Sequence, residues 1–212
     1  MAAIVVAAGQ GARFGGLKQF ADLDNETVAR RSVRGARSVA SKVVLVVPEG
    51  YDGTGEGADV VVTGGRSRAD SVRCGLVECA DADVVVVHDA ARPLASPELF
   101  HLVVDAVKGG AGAAVPGLSI TDTVKRVRRA GDVTTVDVTL EREDLVTVQT
   151  PQAFRRELLE RAHEGAEHAT DDAALVEMLD EDVVVVAGEP QNIKITSPSD
   201  LRRVLDTVRG PQ

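Results

Sequence analysis

The sequence predicts a Rossmann-like α/β fold, a mostly parallel sheet flanked by helices, with a projecting β-hairpin arm, and three observations carry that prediction. Short valine-rich runs recur along the chain, helix-length segments with spaced apolar positions separate them, and one pair of β-rich segments late in the chain breaks the rhythm. The runs at 3–7, 43–47, 60–62, 84–87, 113–115 and 183–186 are continuous rather than alternating, which suits strands buried on both faces.

Each element follows in turn. The first run lacks a basic flank and is too short for a signal peptide or a membrane span, so it is expected to be a buried strand of a cytoplasmic protein. Val28, Val33, Ala36 and Ala40 mark a first helix, Val72, Leu76 and Val77 a second, and Leu99, Leu102, Val103 and Val107 a third. Strand followed by helix, repeated, implies parallel pairing. The segments 121–127 and 133–138, separated by 128–132, predict a hairpin; a doubly wound sheet has no easy place for it, so it is expected to project and meet another chain. A last helix is predicted over 199–208, with Pro198 near its start and Leu201, Val204, Leu205 and Val208 facing inward. With 212 residues and 44% hydrophobic content, one domain over 1–212 is expected, its arm at about 120–142.

Charge and cysteine usage narrow the function. Lys and Arg number 24 against 33 Asp and Glu, a net charge of −9, which disfavours general attraction to nucleic acid. Phosphate binding is therefore expected to be local. Cys74 and Cys79 lie five apart, neither a redox pair nor a zinc set, and read as reduced structural thiols.

After the first run comes Ala7-Ala8-Gly9-Gln10-Gly11-Ala12-Arg13-Phe14-Gly15-Gly16-Leu17-Lys18-Gln19-Phe20. Glycines here let backbone N–H groups turn toward phosphate oxygens. A dinucleotide fingerprint fails at Phe14, and a P-loop fails because Lys18 follows Leu17 and precedes Gln19. What is left is a glycine loop with two cations, Arg13 and Lys18, a combination suited to stabilising the charge that builds during transfer at phosphorus. A surface loop with two solvated cations is the plainer alternative at this point.

The later motifs extend the pattern. Gly64-Gly65 end the third strand and Arg68-Ala69-Asp70-Ser71-Val72 open a helix with unpaired backbone donors. His88-Asp89-Ala90-Ala91-Arg92-Pro93 places a carboxylate at the carboxyl end of a strand, where open α/β sheets bind ligands. Asp89 is the metal candidate, for magnesium; turn closure or pairing with Arg92 is the alternative. His88 is expected to be structural, since a phosphate monoester is already an anionic nucleophile.

Together with Asp122-Thr123-x-Lys125-Arg126, Thr150-Pro151-Gln152-Ala153-Phe154, Thr170-Asp171-Asp172 and Asn192-Ile193-Lys194-Ile195-Thr196, these motifs resemble, in family order and over nearly the whole chain, the 2-C-methyl-D-erythritol 4-phosphate cytidylyltransferases of the non-mevalonate isoprenoid pathway. The resemblance implies a nucleotide-diphospho-sugar transferase-like fold and a homodimer that joins CTP to a sugar-alcohol phosphate with Mg2+. It implies catalytic roles for Arg13, Lys18 and Lys194, and nucleotide contacts from Ala8, Gly9, Gly11, Gly64, Ser71 and Asp89. It further implies acceptor contacts from Arg92, Thr150 and Thr170, with Thr123 and Arg142 reaching over from the partner's arm. Read singly, Thr170 or Asp171 serves equally as a helix N-cap and Lys194 as a solvated strand-edge charge. Two departures stand out: Leu17 precedes Lys18 in a shortened loop where the family has Pro, and Glu141 precedes Arg142 where the family commonly has Asp. Alternatives are a ribitol 5-phosphate cytidylyltransferase, a catalytically silent nucleotide-binding regulator, and, more distantly, a glycosyltransferase. The last would want Asp-x-Asp at a strand end, whereas Asp81-Ala82-Asp83 precedes its strand.

Overall fold

The computed structural model describes residues 1–11, 14–165 and 170–210, and its main sheet is built on five strands whose side chains are largely apolar on both sides of the pleat. They are β1 (Ala2–Val6), β2 (Lys42–Val47), β3 (Val60–Thr63), β4 (Val84–Asp89) and β5 (Ala113–Ser119). The arm holds β6 (Lys125–Ala130) and β7 (Val133–Thr139), and β8 (Val146–Val148), β9 (Gln152–Arg155) and β10 (Val183–Ala187) complete the set. The main sheet runs β10-β5-β9-β4-β1-β2-β3, with β8 paired to β5. All of it is parallel except β9, which runs against both β4 and β5, and β8, which runs against β5.

Among the described residues six α-helices flank the sheet: α1 (Val28–Ala36), α2 (Arg68–Leu76), α3 (Pro97–Lys108), α4 (Arg156–His163), α5 (Asp172–Glu177) and α6 (Pro198–Arg209). Alternate residues of β1 feed opposite layers. Ala3 and Val5 pack with Ala29 and Val33 of α1 and Phe100 and Val103 of α3, while Ala2 and Ile4 pack with Val72 of α2, Leu159 of α4 and Leu175 of α5. Fully burying each larger side chain contributes roughly 1.5–3 kcal/mol. Helices α1, α2, α3 and α6 start at polar caps: Thr27, Ser67, Ser96 and Ser197 each accept a backbone N–H from three residues on, a contact worth about 1 kcal/mol.

The structure corrects four expectations. Burial of both faces holds for β1, β2 and β4, but β3 and β10 are edge strands; Val184 and Val185 are 41% and 52% exposed. Valine content alone does not distinguish an edge from a centre. Residues 121–124 are not strand, and the arm strand extends instead to Ala130, with Gly131 at φ +59° in the two-residue turn before β7. In α6 only Val204 is fully buried, while Leu201, Leu205 and Val208 pack half-buried against it and Ile195. Strand β9, which the parallel reading did not anticipate, is short and carries Gln152 among its buried residues.

Candidate active site

Parallel strands β1 and β4 end side by side, Val6 opposite Asp89, so the loops leaving them open on one crevice. A cavity of about 410 Å³ lies there, lined by Val6–Gln10, Lys18, Gln19, Gly65–Arg68, Ser71, Asp89, Ala91 and Lys194. A smaller one of about 170 Å³ adjoins it, lined by Arg92, Val148–Thr150, Gln152, Thr170 and Asp171. Arg68, Asp89 and Lys194 line both and form the shared wall. A cavity of about 500 Å³ at the other end of β4 is lined by charges of both signs, among them Arg161 paired with Glu181, and holds no comparable convergence.

The glycine loop is folded by its own backbone. Gly11 adopts φ +63° and its carbonyl accepts the N–H groups of Phe14 and Gly15; an added Cβ there would lie 1.9 Å from the Gly16 carbonyl oxygen. The buried Gln19 amide donates to the carbonyls of Ala7 and Gly9, at 2.6 and 2.9 Å, tying the loop to the end of β1. Phe20 stacks on Tyr51 with ring centroids 3.5 Å apart. Lys18 therefore points into the cavity despite the shortened loop, its Nζ donating to the Ile195 carbonyl at 2.6 Å. Arg13, the loop's other predicted cation, lies outside the described residues.

Opposite the loop, β3 ends and α2 begins on the Ser67–Asp70 capping box. Ser71 is buried and lines the cavity, its hydroxyl donating to the Ser67 carbonyl at 2.9 Å. Gly64 lies just behind it, where an added Cβ would come within 2.4 Å of Ala8 Cβ and 2.7 Å of Ser71 Oγ. Close approach, not backbone conformation, requires glycine here.

Asp89 holds the centre. Its carboxylate accepts from Arg68 Nε at 3.2 Å and from Lys194 Nζ at 2.6 Å, not from Arg92. Burial opposes its ionisation, but the Arg68 and Lys194 charges outweigh burial and hold the carboxyl well below the usual carboxylate range. Burial pushes the His88 imidazole down to about 4, so it is neutral at pH 7. Its role is orienting: the Arg92 carbonyl can only accept, so Nε2 carries the proton, and Nδ1 accepts from the Thr150 hydroxyl, whose oxygen accepts the Asp89 N–H. The Thr150 hydroxyl is thus already engaged in holding the end of β4.

Lys194 is carried on a segment pinned at three points. Asn192 donates to the Thr150 carbonyl, the Ile195 N–H donates to the Ala91 carbonyl, and Thr196 bonds Asp200 of the α6 capping box. Arg92 reaches the same segment, donating from Nη1 to the Asn192 carbonyl at 2.8 Å, and its Nε is buried without a partner among the described residues. Thr170 is exposed beside Asp171, and Asp171, not Thr170, caps α5.

Lys18, Ser71, Asp89, Lys194, Ala8 and Gly9 thus meet at one cavity, and Arg92, Thr150 and Thr170 at its neighbour. Thr123 and Arg142 line neither: both lie at the base of the arm, where Arg142 donates to the Thr121 carbonyl at 2.6 Å. The sequence reading did not assign to the site Arg68, which lines both cavities, or Asp172, which lies behind it. Both sit inside quoted motifs, but the two lie 104 residues apart, and only folding reveals the pair.

As for a metal, Asp89 is the single carboxylate on the shared wall, and no grouping of three or more His, Cys, Asp or Glu able to hold a metal occurs among the described residues. One ionised hard-oxygen ligand beside a polar cavity fits magnesium, which is commonly held by one or two carboxylates together with substrate phosphates.

Comparison with known proteins gives a consistent picture. The family model described as IspD: 2-C-methyl-D-erythritol 4-phosphate cytidylyltransferase matches residues 1–207. The 2-C-methyl-D-erythritol 4-phosphate cytidylyltransferase of Rhodococcus jostii (strain RHA1) is 47% identical over 208 residues, 94% of this chain and 91% of its own. The bifunctional enzyme IspD/IspF of Anaeromyxobacter sp. (strain Fw109-5) is 43% identical over 224 residues, covering 100% of this chain, which spans 58% of that protein's length. Among solved structures, the 2-C-methyl-D-erythritol 4-phosphate cytidylyltransferase from Thermus thermophilus superposes with a TM-score of 0.82 at 34% identity, covering 98% of each chain.

Proposed function

This chain belongs to the 2-C-methyl-D-erythritol 4-phosphate cytidylyltransferase family, and from that premise we propose how its own residues carry the reaction of CTP with 2-C-methyl-D-erythritol 4-phosphate. The observation that carries the proposal is the shared wall: Arg68, Asp89 and Lys194 border two adjoining cavities, and we assign the larger to the nucleotide and the smaller to the acceptor. Transfer needs two phosphates brought together in line, and these side chains stand where they meet.

CTP occupies the larger cavity, its cytosine against Gly64–Ser71 and its triphosphate over the backbone of Ala8, Gly9 and Gly11. An acceptor phosphate oxygen attacks the α-phosphorus; the bond to the bridging oxygen of the β-phosphate breaks, and pyrophosphate leaves with that electron pair. No proton need be removed from the acceptor, because its phosphate is already anionic. Lys18 and Arg13 stabilise charge growing on the triphosphate, and Lys194 holds the two phosphates together against their repulsion. Magnesium, when bound, would neutralise triphosphate charge as a Lewis acid, with Asp89 as its protein ligand. Both Asp89 oxygens are now engaged, so Lys194 would move onto phosphate as the ligands arrive.

The arm at about 120–142 is proposed to dimerise the chain, in a single domain over 1–212. Val133 and Val136 on it are 60% and 62% exposed, a cost that a two-fold partner removes. Thr123 and Arg142 of the partner subunit would then complete the acceptor site beside Arg92 and Thr170. No helix among the described residues is long and apolar enough to cross a membrane. The free thiols of Cys74 and Cys79 suit the reducing cytoplasm, where we place the protein.

Pyrophosphate release tests the reading. With CTP, 2-C-methyl-D-erythritol 4-phosphate is expected to be turned over well ahead of ribitol 5-phosphate and glycerol phosphate, and UTP to be a poor donor because its oxygen opposes the acceptors that serve the cytosine amino group. Equal rates across the acceptors, or across CTP and UTP, would defeat it.

A further inference from the structure

Behind the shared wall lies a second carboxylate that touches neither cavity. Asp172 opens α5 with its side chain only 1% exposed, and one oxygen accepts from Arg68 Nη1 at 2.7 Å. Its other oxygen accepts from Nε2 of His163, the last residue of α4, at 3.1 Å; the His163 side chain is 2% exposed. Charges therefore alternate in one line, Asp172, Arg68, Asp89, Lys194, and reach from between two helices to the wall shared by the two cavities.

We propose that Asp172, clasped by His163, is the positioning residue that aims Arg68, confines it to one oxygen of Asp89 and keeps the other oxygen available once Lys194 moves onto phosphate. The proposal rests on the cytidylyltransferase reading. An arginine has five donors in a rigid fork and turns bidentate onto a single carboxylate when nothing else claims it. Here the fork is divided: Nη1 is taken by Asp172, Nε by Asp89, and Nη2 is buried with no partner among the described residues. A guanidinium left with an unpaired buried nitrogen is held in place by its other bonds. Without the Asp172 charge, Arg68 turns fully onto Asp89, takes the oxygen that Lys194 gives up as the ligands arrive, and disturbs the carboxylate at the point of transfer. Asp172 does not line the nucleotide cavity, so the loss falls on alignment and not on CTP contact. Removing one negative charge also makes the wall more positive, which favours binding of an anionic nucleotide.

The two effects have opposite signs, and that split is the test. Asp172→Asn is expected to lower kcat tenfold or more while the CTP dissociation constant, read by calorimetry, stays equal or falls. Asp172→Glu, which restores the charge, is expected to recover part of the loss. Combined with Arg68→Gln, Asp172→Asn should lower kcat no further than Arg68→Gln alone, because both act through one guanidinium. A kcat within twofold of the parent, a CTP affinity weakened in step with kcat, or additive losses in the double variant would each overturn the role. If Asp172→Asn does not fold, His163→Phe takes its place; it keeps the carboxylate and the side-chain bulk but removes the donor. A severalfold fall in kcat with CTP affinity unchanged is then expected, and parental kcat overturns the proposal. A parent protein that releases no pyrophosphate from CTP and 2-C-methyl-D-erythritol 4-phosphate defeats the underlying reading and this inference together. A parent that turns over beside an unaffected Asp172→Asn defeats only the inference.

Discussion

Adding one methyl group behind the larger cavity, by Gly64→Ala, should damage both stability and turnover, and the structure sets the scale of each. The new Cβ would sit 2.4 Å from Ala8 Cβ, 2.7 Å from Ser71 Oγ and 3.2 Å from Val46 Cγ1, against ordinary contacts of 3.4–4 Å. Relief requires the ends of β1 and α2 to separate by about 1 Å in a close-packed core, which costs roughly 1–3 kcal/mol. For a chain of 212 residues that is a fall in Tm of roughly 2–12 °C. Ala8 and Ser71 both line the cavity, so the same shift misplaces the nucleotide, and a misplacement of about 1 Å can cost on the order of a hundredfold in rate. Thermal melts and kcat/KM for CTP by pyrophosphate release read the two quantities. Ala8→Gly removes the shortest contact, so the double variant should regain part of both losses while the Ser71 contact persists. A Gly64→Ala protein with parental Tm and kcat/KM would refute the argument that close approach, and not chance, puts glycine at this position.

Other outcomes follow from the same geometry. Lys18→Ala should lower kcat about a hundredfold or more with little change in Tm, the usual scale for losing one transition-state contact; parental turnover would remove Lys18 from the mechanism. Chelation of divalent metal should abolish pyrophosphate release, and full activity in excess chelator would remove Asp89 from a metal role. Burial pushes the Cys79 thiol up to about 11, so it stays protonated at pH 8; iodoacetamide at that pH should label Cys74 first, with Cys79 reacting only on unfolding, and mass spectrometry of the labelled peptides decides the order. Finally, Arg13→Met and Arg142→Met homodimers should each be nearly inactive, while a doubly tagged heterodimer regains one complete site of two. A confirmed heterodimer no more active than either parent would show that Arg142 does not reach across.

The sequence by itself determined a great deal here, because much of the information is local. Continuous valine runs suit burial on both faces, glycines and a lysine between strand and helix suit phosphate, and a carboxylate after a strand falls at the carboxyl end of a parallel sheet. Those features located β1, β2 and β4, the glycine loop, Asp89 and Lys18 without reference to the fold. Tertiary structure decided what depends on neighbours distant along the chain. Whether Val184 and Val185 are covered depends on β10 ending the sheet, not on their own apolarity. The engagement of Thr150 with His88 and the Asp89 backbone depends on β9 returning antiparallel beside β4. Lys194 meets Asp89 across 105 positions of sequence, and Asp172 meets Arg68 across 104. Ion pairs of this kind leave no periodicity in the sequence, since Coulomb attraction acts through space and a single Asp or Lys reads the same whether it is solvated or buried beside its partner.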